Sequence, residues 1–460
     1  MAGSGAVHLS EVVGALSYAL DITEGQPVGH SLRCCWLGMH LGQRLGLAPA
    51  DLSDLYYTLL LKDIGCSSNA ARICSLYLAD DLSFKQAYKF VDSRLPEVLR
   101  FLIANTARKS GMIERLQTLV HIARNGGDIA RELIETRCQR GAEIARSMRF
   151  DEAVARGILD LDEHWDGSGQ PLGRAGSEIS LFARIALLAQ VADVFFMRGG
   201  VAAALGEVVS RSGRWFDPAL VAELEQMAAE AQIWEALHAP DLPARVVALE
   251  PVTLIREVDE DYLDDIAAGF AQVVDAKSPF TAGHSDRVAL FADLIAEELG
   301  YAPARRRWLR RAALLHDIGK LGVPNSILDK NGKPDDEEWA AIRRHPGLGQ
   351  AILERIAAFS DSAAIAGSHH ERLDGRGYPR GIAGAAIDRD TRIVTTADIF
   401  DALTADRPYR KAMPASQAFA IMRADLGTAI DPDCFAALER GFARLEDVAT
   451  ADPEPMRRAS

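Results

Sequence analysis

Histidine and aspartate side chains cluster in short motifs in the second half of this 460-residue sequence. The set consists of His284, His316, Asp317, His345, His369, His370 and Asp398. Imidazole and carboxylate groups with no thiolate beside them suit divalent cations such as Fe, Mn or Zn, and they are unlike a structural zinc site. The residue types therefore predict a metal centre that performs chemistry.

The spacing of the motifs favours convergence on one centre. His316 and Asp317 are adjacent and follow a strongly apolar run, which predicts that both lie on one helix. Adjacent helical residues point about 100° apart, so such a pair can contact two metals or bridge them. Lys320 follows within one turn on the same face, where its ammonium would reach an oxygen bound at the metals.

A single histidine on an apolar face is more often a satisfied core residue than a ligand. That reading would suffice for His284 or His345 alone. It fails for the pairs His316-Asp317 and His369-His370, because burying adjacent polar groups without partners or metal is costly.

Helices must position these residues. Most segments place apolar residues at spacings of 3, 4 and 7, and strand-like alternation is nearly absent. Helix starts are marked by Asp217-Pro218, by Asp431-Pro432 and by a capping box from Asp335 to Glu338. The sequence therefore predicts an all-α fold.

An internal repeat divides the chain into two copies of one helical unit. The matching segments are His30–Arg33 with His284–Arg287, Lys62–Gly65 with His316–Gly319, Trp165–Pro171 with Leu373–Pro379, Ala192-Asp193 with Ala397-Asp398, and Asp217-Pro218 with Asp431-Pro432. The offsets predict an insertion of roughly 46 residues in the first copy, at about 68–135. The predicted organisation is a first domain at 1–245, a linker at 246–262, a second domain at 263–446 and a flexible tail at 447–460.

Composition limits the function classes. The net charge of −14 argues against a duplex nucleic-acid binder, which would show a basic stripe. The six cysteines form no regular framework, which is typical of a reducing compartment. No apolar run approaches the roughly 20 residues of a membrane span, and no secretion signal is evident. We therefore expect a cytoplasmic protein without a membrane span.

Three motifs together resemble the HD-GYP subgroup of the HD phosphohydrolase superfamily. They are LLHDIGK around His316-Asp317, His369-His370-Glu371 followed by DGRGYP, and Ala397-Asp398 followed by ALTADRPYR. The resemblance covers about 265–440, with a weaker copy over about 10–235. It implies two helical HD-type domains in tandem.

The resemblance also implies roles for individual residues. The seven histidines and aspartates match the family's metal ligands, with Asp317 as the bridging carboxylate. Lys320 resembles a lysine that contacts the phosphate, and Arg407 and Arg410 resemble a basic pair that binds substrate. Gly377 and Tyr378 belong to the loop that borders the site. Glu371 either orients a ligand histidine or caps a helix.

The implied activity is a metal-dependent phosphodiesterase that converts cyclic di-GMP mainly to linear pGpG. Some family members hold a third metal through a glutamate, but Phe280 stands at that position, so two divalent metals are predicted. Fe or Mn are favoured, with Zn, Mg or Ni as further candidates. The loop at Gly377–Pro379 is a candidate contact for diguanylate cyclase (GGDEF) proteins, and a homodimer is left open. The alternatives are a phosphohydrolase of another cyclic dinucleotide or nucleotide, and a non-enzymatic signalling scaffold.

The first copy lacks most of the predicted ligands. It keeps His30, Asp63 and Asp193, whereas Lys62 replaces the first histidine of the HD dipeptide and Leu161-Asp162 replaces the adjacent pair. Cys138 is predicted to lie opposite His345, and Cys66 opposite Lys320. An ammonium where a cation would bind makes a metal site unfavourable, so this half is predicted to be a catalytically inactive sensor or dimerisation domain.

Overall fold

The computed structural model describes residues 8–91, 95–107, 111–251, 258–406 and 410–451. These residues form helices joined by turns, and no strand occurs among them, which confirms the all-α prediction. The predicted domain boundaries stay predictions. Part of the proposed linker (252–257) and most of the proposed tail (452–460) lie outside the described residues.

The first half contains the longest helix, α7. Its helices are α1 (Leu9–Thr23), α2 (His30–Arg44), α3 (Pro49–Leu61), α4 (Ala70–Tyr77), α5 (Asp81–Tyr88), α6 (Leu95–Asn105), α7 (Met112–Ser147), α8 (Glu152–Leu159), α9 (Leu181–Ser210), α10 (Pro218–Met227), α11 (Ala231–Glu235) and α12 (Leu242–Val247). The predicted insertion corresponds to α4, α5, α6 and the first part of α7.

The second half repeats the order without the insertion. Its helices are α13 (Glu260–Asp275), α14 (His284–Glu298), α15 (Pro303–Leu315), α16 (Asn325–Leu328), α17 (Asp336–Ile342), α18 (His345–Leu353), α19 (Ala363–Ser368), α20 (Arg389–Thr404), α21 (Ala415–Ala424) and α22 (Pro432–Ala451). The capping signals act as predicted, since Asp335 and Glu338 form a capping box at the start of α17.

The two halves share a hydrophobic core. The main cluster of buried apolar side chains includes α1 and α3 of the first half together with α13, Leu315, Ile318 and Leu353 of the second. The contacts are reciprocal: α1 packs on the 3₁₀ turn Ile318–Gly322, and α13 packs on α7 and on the 3₁₀ turn Cys66–Asn69. Each copy therefore supports the turn that follows the Asp63 or Asp317 position of the other.

Helix α9 corrects one expectation from composition. It is long and apolar enough to cross a membrane, with a mean hydropathy of 1.5 over its most apolar 18 residues. However, 61% of that window is buried within the fold, which is typical of the core helix of a soluble protein. The prediction that no run has this length and composition is wrong, because helices packed on most faces are apolar all round.

A buried ion pair joins the insertion to the second half. The Lys277 ammonium lies 3.3 Å from Asp81 Oδ2, and both side chains are almost fully buried. The backbone N–H of Asn325 donates to the other oxygen of Asp81 at 2.8 Å. The carboxylate thus pairs with the segment that leads to His284 and with the start of α16.

We predict that Asp81→Ala destabilises the protein by about 3–5 kcal/mol, because the Lys277 ammonium stays buried without its partner. Urea unfolding followed by circular dichroism measures the loss. The control is Asp80→Ala, which removes only a helix N-cap and should cost about 1 kcal/mol. Equal losses for the two variants would contradict the role of the ion pair.

Candidate metal centre

Helix ends bring most of the predicted ligands together. His284 and His345 are the first residues of α14 and α18, whereas His316 and His369 directly follow α15 and α19. Asp398 lies within α20. Because most of these side chains come from helix ends, five helices can converge on one small volume without packing along their lengths there.

The prediction that His316 and Asp317 lie within one helix is wrong, because they follow the last helical residue by one and two positions. Helix α15 ends at Leu315, His316 is its C-cap, and the chain continues into the 3₁₀ turn Ile318–Gly322. The turn packs closely against α18, because a Cβ atom on Gly319 would lie 1.9 Å from the carbonyl oxygen of His345. Gly319 therefore allows Asp317 and His345 to approach each other.

The seven side chains form two adjacent groups. One group is His284, His316 and Asp398; the other is Asp317, His345, His369 and His370. Within each group, one potential ligand atom per residue lies within 4.8 Å of all the others. The structure thus brings together all seven residues that the sequence singled out.

Asp317 lies between the two groups. Its Oδ2 atom is 3.3 Å from Nε2 of both His284 and His316. Its Oδ1 atom is 3.3 Å from Nε2 of His345 and 3.5 Å from that of His369. Each carboxylate oxygen faces a different group, which is the geometry of a bridging ligand.

The histidines are oriented to present a lone pair to the centre. Nδ1 of His316, His345 and His369 donates to a backbone carbonyl oxygen three residues earlier, at 2.7, 2.7 and 2.8 Å. With the proton on Nδ1, Nε2 is the acceptor nitrogen. Nε2 of His345 and Nε2 of His369 then lie 3.2 Å apart with two lone pairs facing each other, which a cation between them would stabilise.

The electrostatics of the centre suit a cation. Burial lowers the pKa of His369 to about 4 and that of His370 well below its ordinary value, so both imidazoles are neutral near pH 7. Burial opposes ionisation of Asp317, but Lys320 and His316 hold the pKa of that carboxyl well below its usual range. Among the described residues, buried Nε2 of His284, Nε2 of His316 and Oδ1 of Asp317 have no hydrogen-bond partner. Neutral imidazoles, an ionised carboxylate and unpaired buried donor atoms fit divalent metals.

Sequence reasoning missed Asp401, which holds His284 from behind. Oδ2 of Asp401 accepts a hydrogen bond from Nδ1 of His284 at 2.6 Å, and Arg287 donates to Asp401 through Nε at 2.5 Å. Burial alone would lower the pKa of His284, but the nearby carboxylates of Asp317 and Asp401 raise it to about 9. Asp401 lies one turn after Asp398 on α20, and this spacing is the sequence signal that could have identified it.

The loop Gly377–Pro379 lies at the edge of the metal centre. The ring of Tyr378 stacks on His370 with ring centroids 4.8 Å apart, and the Arg343 guanidinium carbon lies 5.7 Å from the Tyr378 ring centroid. A Cβ atom on Gly377 would lie 2.4 Å from the backbone nitrogen of Arg372, so a side chain there would displace the loop. Glu371 plays neither role expected of it: its Oε1 accepts the backbone N–H groups of Arg380 and Gly381 and anchors this loop.

The predicted basic groups differ in their surroundings. Lys320 forms an ion pair with Asp317, and 17% of its side chain is exposed. The guanidinium of Arg410 donates to the carbonyl oxygens of Leu403 and Lys411 at 2.8 and 2.9 Å. It therefore forms hydrogen bonds with the backbone at the end of α20 and beyond it. Arg407 lies outside the described residues.

The first copy preserves the support of the centre but, of its seven ligand positions, keeps only His30 and Asp63. Asp193 accepts from Nδ1 of His30 at 2.7 Å and from Arg33 at 2.6 Å, as Asp401 does from His284 and Arg287. Asp193 is therefore the counterpart of Asp401, and its predicted match to Asp398 is wrong. One turn earlier, at the position of Asp398, stands Gln190. The shared Ala-Asp dipeptide caused the error.

Protein cations occupy the place of ligands in the first copy. A Cβ atom on Gly65 would lie 2.0 Å from the carbonyl oxygen of Arg137, as one on Gly319 would from that of His345. Arg137 therefore stands opposite His345, and the predicted match of Cys138 is wrong by one residue. Arg137 forms an ion pair with Asp162, and Lys62 forms one with Asp63.

Comparisons with known proteins agree with this architecture. A family model described as "HD domain" matches residues 97–220 and 270–434. The chain is 54% identical over 445 residues to a 3′3′-cGAMP-specific phosphodiesterase of Vibrio cholerae, covering 97% of each chain. It is 37% identical over 219 residues to a cyclic di-GMP phosphodiesterase response regulator of Xanthomonas campestris pv. campestris, covering 46% of this chain and 58% of that one. A crystal structure of a cyclic GMP-AMP-specific phosphodiesterase of V. cholerae matches with a TM-score of 0.65 and 49% identity, covering 95% of this chain and 98% of that chain.

We predict that Asp401→Asn lowers metal affinity or turnover by about 10- to 100-fold, because the amide no longer holds His284 as a carboxylate does. Metal titration and steady-state kinetics measure both quantities. The matched control is Asp193→Asn, which removes the same contacts in the copy that lacks the ligands. An equal loss in both variants would show that the contact only stabilises the fold.

Proposed function

Because this chain belongs to the HD-GYP phosphodiesterase family of HD-domain proteins, we propose that it hydrolyses a cyclic dinucleotide, with 3′3′-cGAMP as its preferred substrate. One observation carries the choice of substrate: the 54% identity to a 3′3′-cGAMP-specific phosphodiesterase extends over 97% of each chain. The product is the linear dinucleotide.

Cyclic di-GMP is the second candidate substrate. The motifs of the second half predicted it, and similarity to a cyclic di-GMP phosphodiesterase supports it. Hydrolysis mainly to pGpG stays a prediction, as do a contact between the Gly377–Pro379 loop and diguanylate cyclases, a homodimer and a cytoplasmic location.

Two divalent cations, with Fe or Mn favoured, are the proposed cofactors of the centre. Asp317 would contact both; His284, His316 and Asp398 would hold one, and His345, His369 and His370 the other. The cations would supply Lewis-acid activation of water and of the phosphodiester group.

The protein's own side chains contribute binding and charge. The Lys320 ammonium, partly exposed beside Asp317, is placed to contact a phosphate oxygen as negative charge develops on it. Tyr378 covers one face of His370 and limits access of bulk water to that side of the centre. Asp401 and the three backbone carbonyl oxygens keep the imidazoles in the ligating tautomer.

We predict that the anaerobically purified protein contains two metal equivalents per chain, as measured by elemental analysis. His345→Ala and His284→Ala should each reduce the content, because they remove ligands from different groups. The control is His121→Ala, an exposed histidine of α7, which should leave the content unchanged. Unchanged metal content in both site variants would contradict the assignment.

The substrate is tested with the metal-loaded full chain and equal concentrations of 3′3′-cGAMP, cyclic di-GMP and cyclic di-AMP, with products separated by chromatography. We expect kcat/KM for 3′3′-cGAMP to exceed that for cyclic di-GMP by roughly tenfold, or about 1.4 kcal/mol. Asp317→Asn serves as the inactive control.

Each result of the assay is decisive. Faster hydrolysis of cyclic di-GMP would replace the proposed substrate and keep the reaction. Absence of hydrolysis of all three by metal-loaded protein would overturn the proposal. In that case the scaffold hypothesis predicts that Asp317→Asn keeps the protein's effect in cells.

A further inference from the structure

A cavity of about 450 Å³ lies inside the insertion of the first half, away from the metal centre. Helices α4, α5, α6 and α7 form most of its lining and leave it partly open to solvent, and its apolar wall includes Ile73, Tyr77, Phe84, Ile122 and Leu133. Pockets for small molecules commonly have volumes of about 300–1,000 Å³, so this cavity is large enough for a compact organic ligand.

The insertion accounts for the cavity. The chain from Asp63 to Arg137 spans 74 positions, whereas the equivalent stretch from Asp317 to His345 spans 28. The added helices form a small apolar cluster of their own, separate from the two larger cores. Protein interiors are normally close-packed, so added helices that enclose space instead of filling it call for a functional reason.

Two glycines of α7 line the cavity. Gly126 and Gly127 both line it, and a Cβ atom at either position would meet nothing within 4 Å. Glycine in a helix interior lowers helix stability, and here larger side chains would fit without a clash at Cβ. A large side chain at Gly126 would therefore have room to occupy part of the cavity.

One end of the cavity is positively charged. Four of its lining residues are basic and one is acidic. The acidic one, Glu24, lies 3.0 Å from the Lys89 ammonium and 3.5 Å from that of Lys85. Lys85 also donates to two backbone carbonyl oxygens, whereas buried Nζ of Lys89 has no hydrogen-bond acceptor of normal geometry among the described residues.

The charges at this end do not balance. Burial opposes the charge of Glu24, but Lys89 and Lys85 hold the pKa of that carboxyl at about 2, so it is ionised. The other carboxylate that acts on Lys89, Asp63, is paired with Lys62, so Glu24 alone serves both Lys85 and Lys89 and offsets one of the two ammonium groups. The remaining positive charge faces an apolar cavity, where an anion would neutralise it.

We propose that this cavity binds a hydrophobic monocarboxylate, with the carboxylate at Lys89 and the hydrocarbon body against Phe84, Ile122 and Leu133. The apolar walls recognise the body, and the surplus ammonium selects the anionic head over a neutral one. The site would give the first half, which lacks the metal ligands, a ligand of its own.

The test is isothermal titration of the full chain with octanoate, decanoate, dodecanoate and 2-naphthoate below their micellar concentrations. Decanol is the matched neutral ligand for decanoate. We expect at least one carboxylate to bind, and decanoate to bind at least tenfold more tightly than decanol. Equal binding of decanoate and decanol, or no binding of any carboxylate, would overturn the proposal.

Two variants locate the site. Gly126→Phe should fill the cavity and abolish carboxylate binding, whereas Gly206→Phe, an exposed helical glycine with equal space around it, should bind like the wild type. Lys89→Gln should weaken decanoate at least tenfold and leave decanol unchanged. Circular dichroism confirms that each variant is folded, and undiminished binding to folded Gly126→Phe would contradict the location.

Discussion

A buried aspartate surrounded by ligand-type side chains needs a positive charge beside it, and both halves of this protein are arranged around that requirement. Asp317 and Asp63 occupy equivalent positions, and each is almost completely shielded from water. An ionised carboxylate in such surroundings is unstable unless a cation or several hydrogen-bond donors compensate it. The identity of the compensating charge determines what each half can do.

The two halves meet the requirement differently. Around Asp317 stand imidazoles whose Nε2 atoms face inward, and Lys320 is the ammonium that pairs with the carboxylate. The ligand atoms that Lys320 does not pair with are left for cations from outside the chain. Around Asp63 the chain provides its own cation, because Lys62 replaces the first histidine and pairs with Asp63. Arg137 and Asp162, at the positions of His345 and His370, form an ion pair with each other. The fold can therefore keep its buried aspartate either with exchangeable cations, which support chemistry, or with fixed ammonium and guanidinium groups, which support only structure.

The all-α fold and the seven histidines and aspartates of the metal centre could be predicted from the sequence, because apolar spacing and paired polar residues are local signals. It failed where contacts join distant segments. Asp401 supports His284 from 117 positions away, and in the sequence only its spacing of one turn after Asp398 distinguishes it from an ordinary helix residue. The sequence placed Cys138, instead of Arg137, opposite His345. The insertion before this position removes the constant offset on which the earlier matches depend. Helix α15 ends at Leu315, before His316 and Asp317, and the turn that follows packs Gly319 against the backbone of α18.

The shared core implies that the half without the ligands is part of the catalytic structure. Helix α1 lies on the turn Ile318–Gly322, where a Cβ atom on Gly322 would come 3.2 Å from a side-chain carbon of Ile22. This turn follows Asp317 directly and contains Lys320. The position of the carboxylate that faces both ligand groups is thus set on one side by α18 and on the other by a helix of the first copy. A change in the first copy that shifts α1 would move Asp317 relative to its histidines, and an ångström-scale displacement of a bridging carboxylate alters both groups at once.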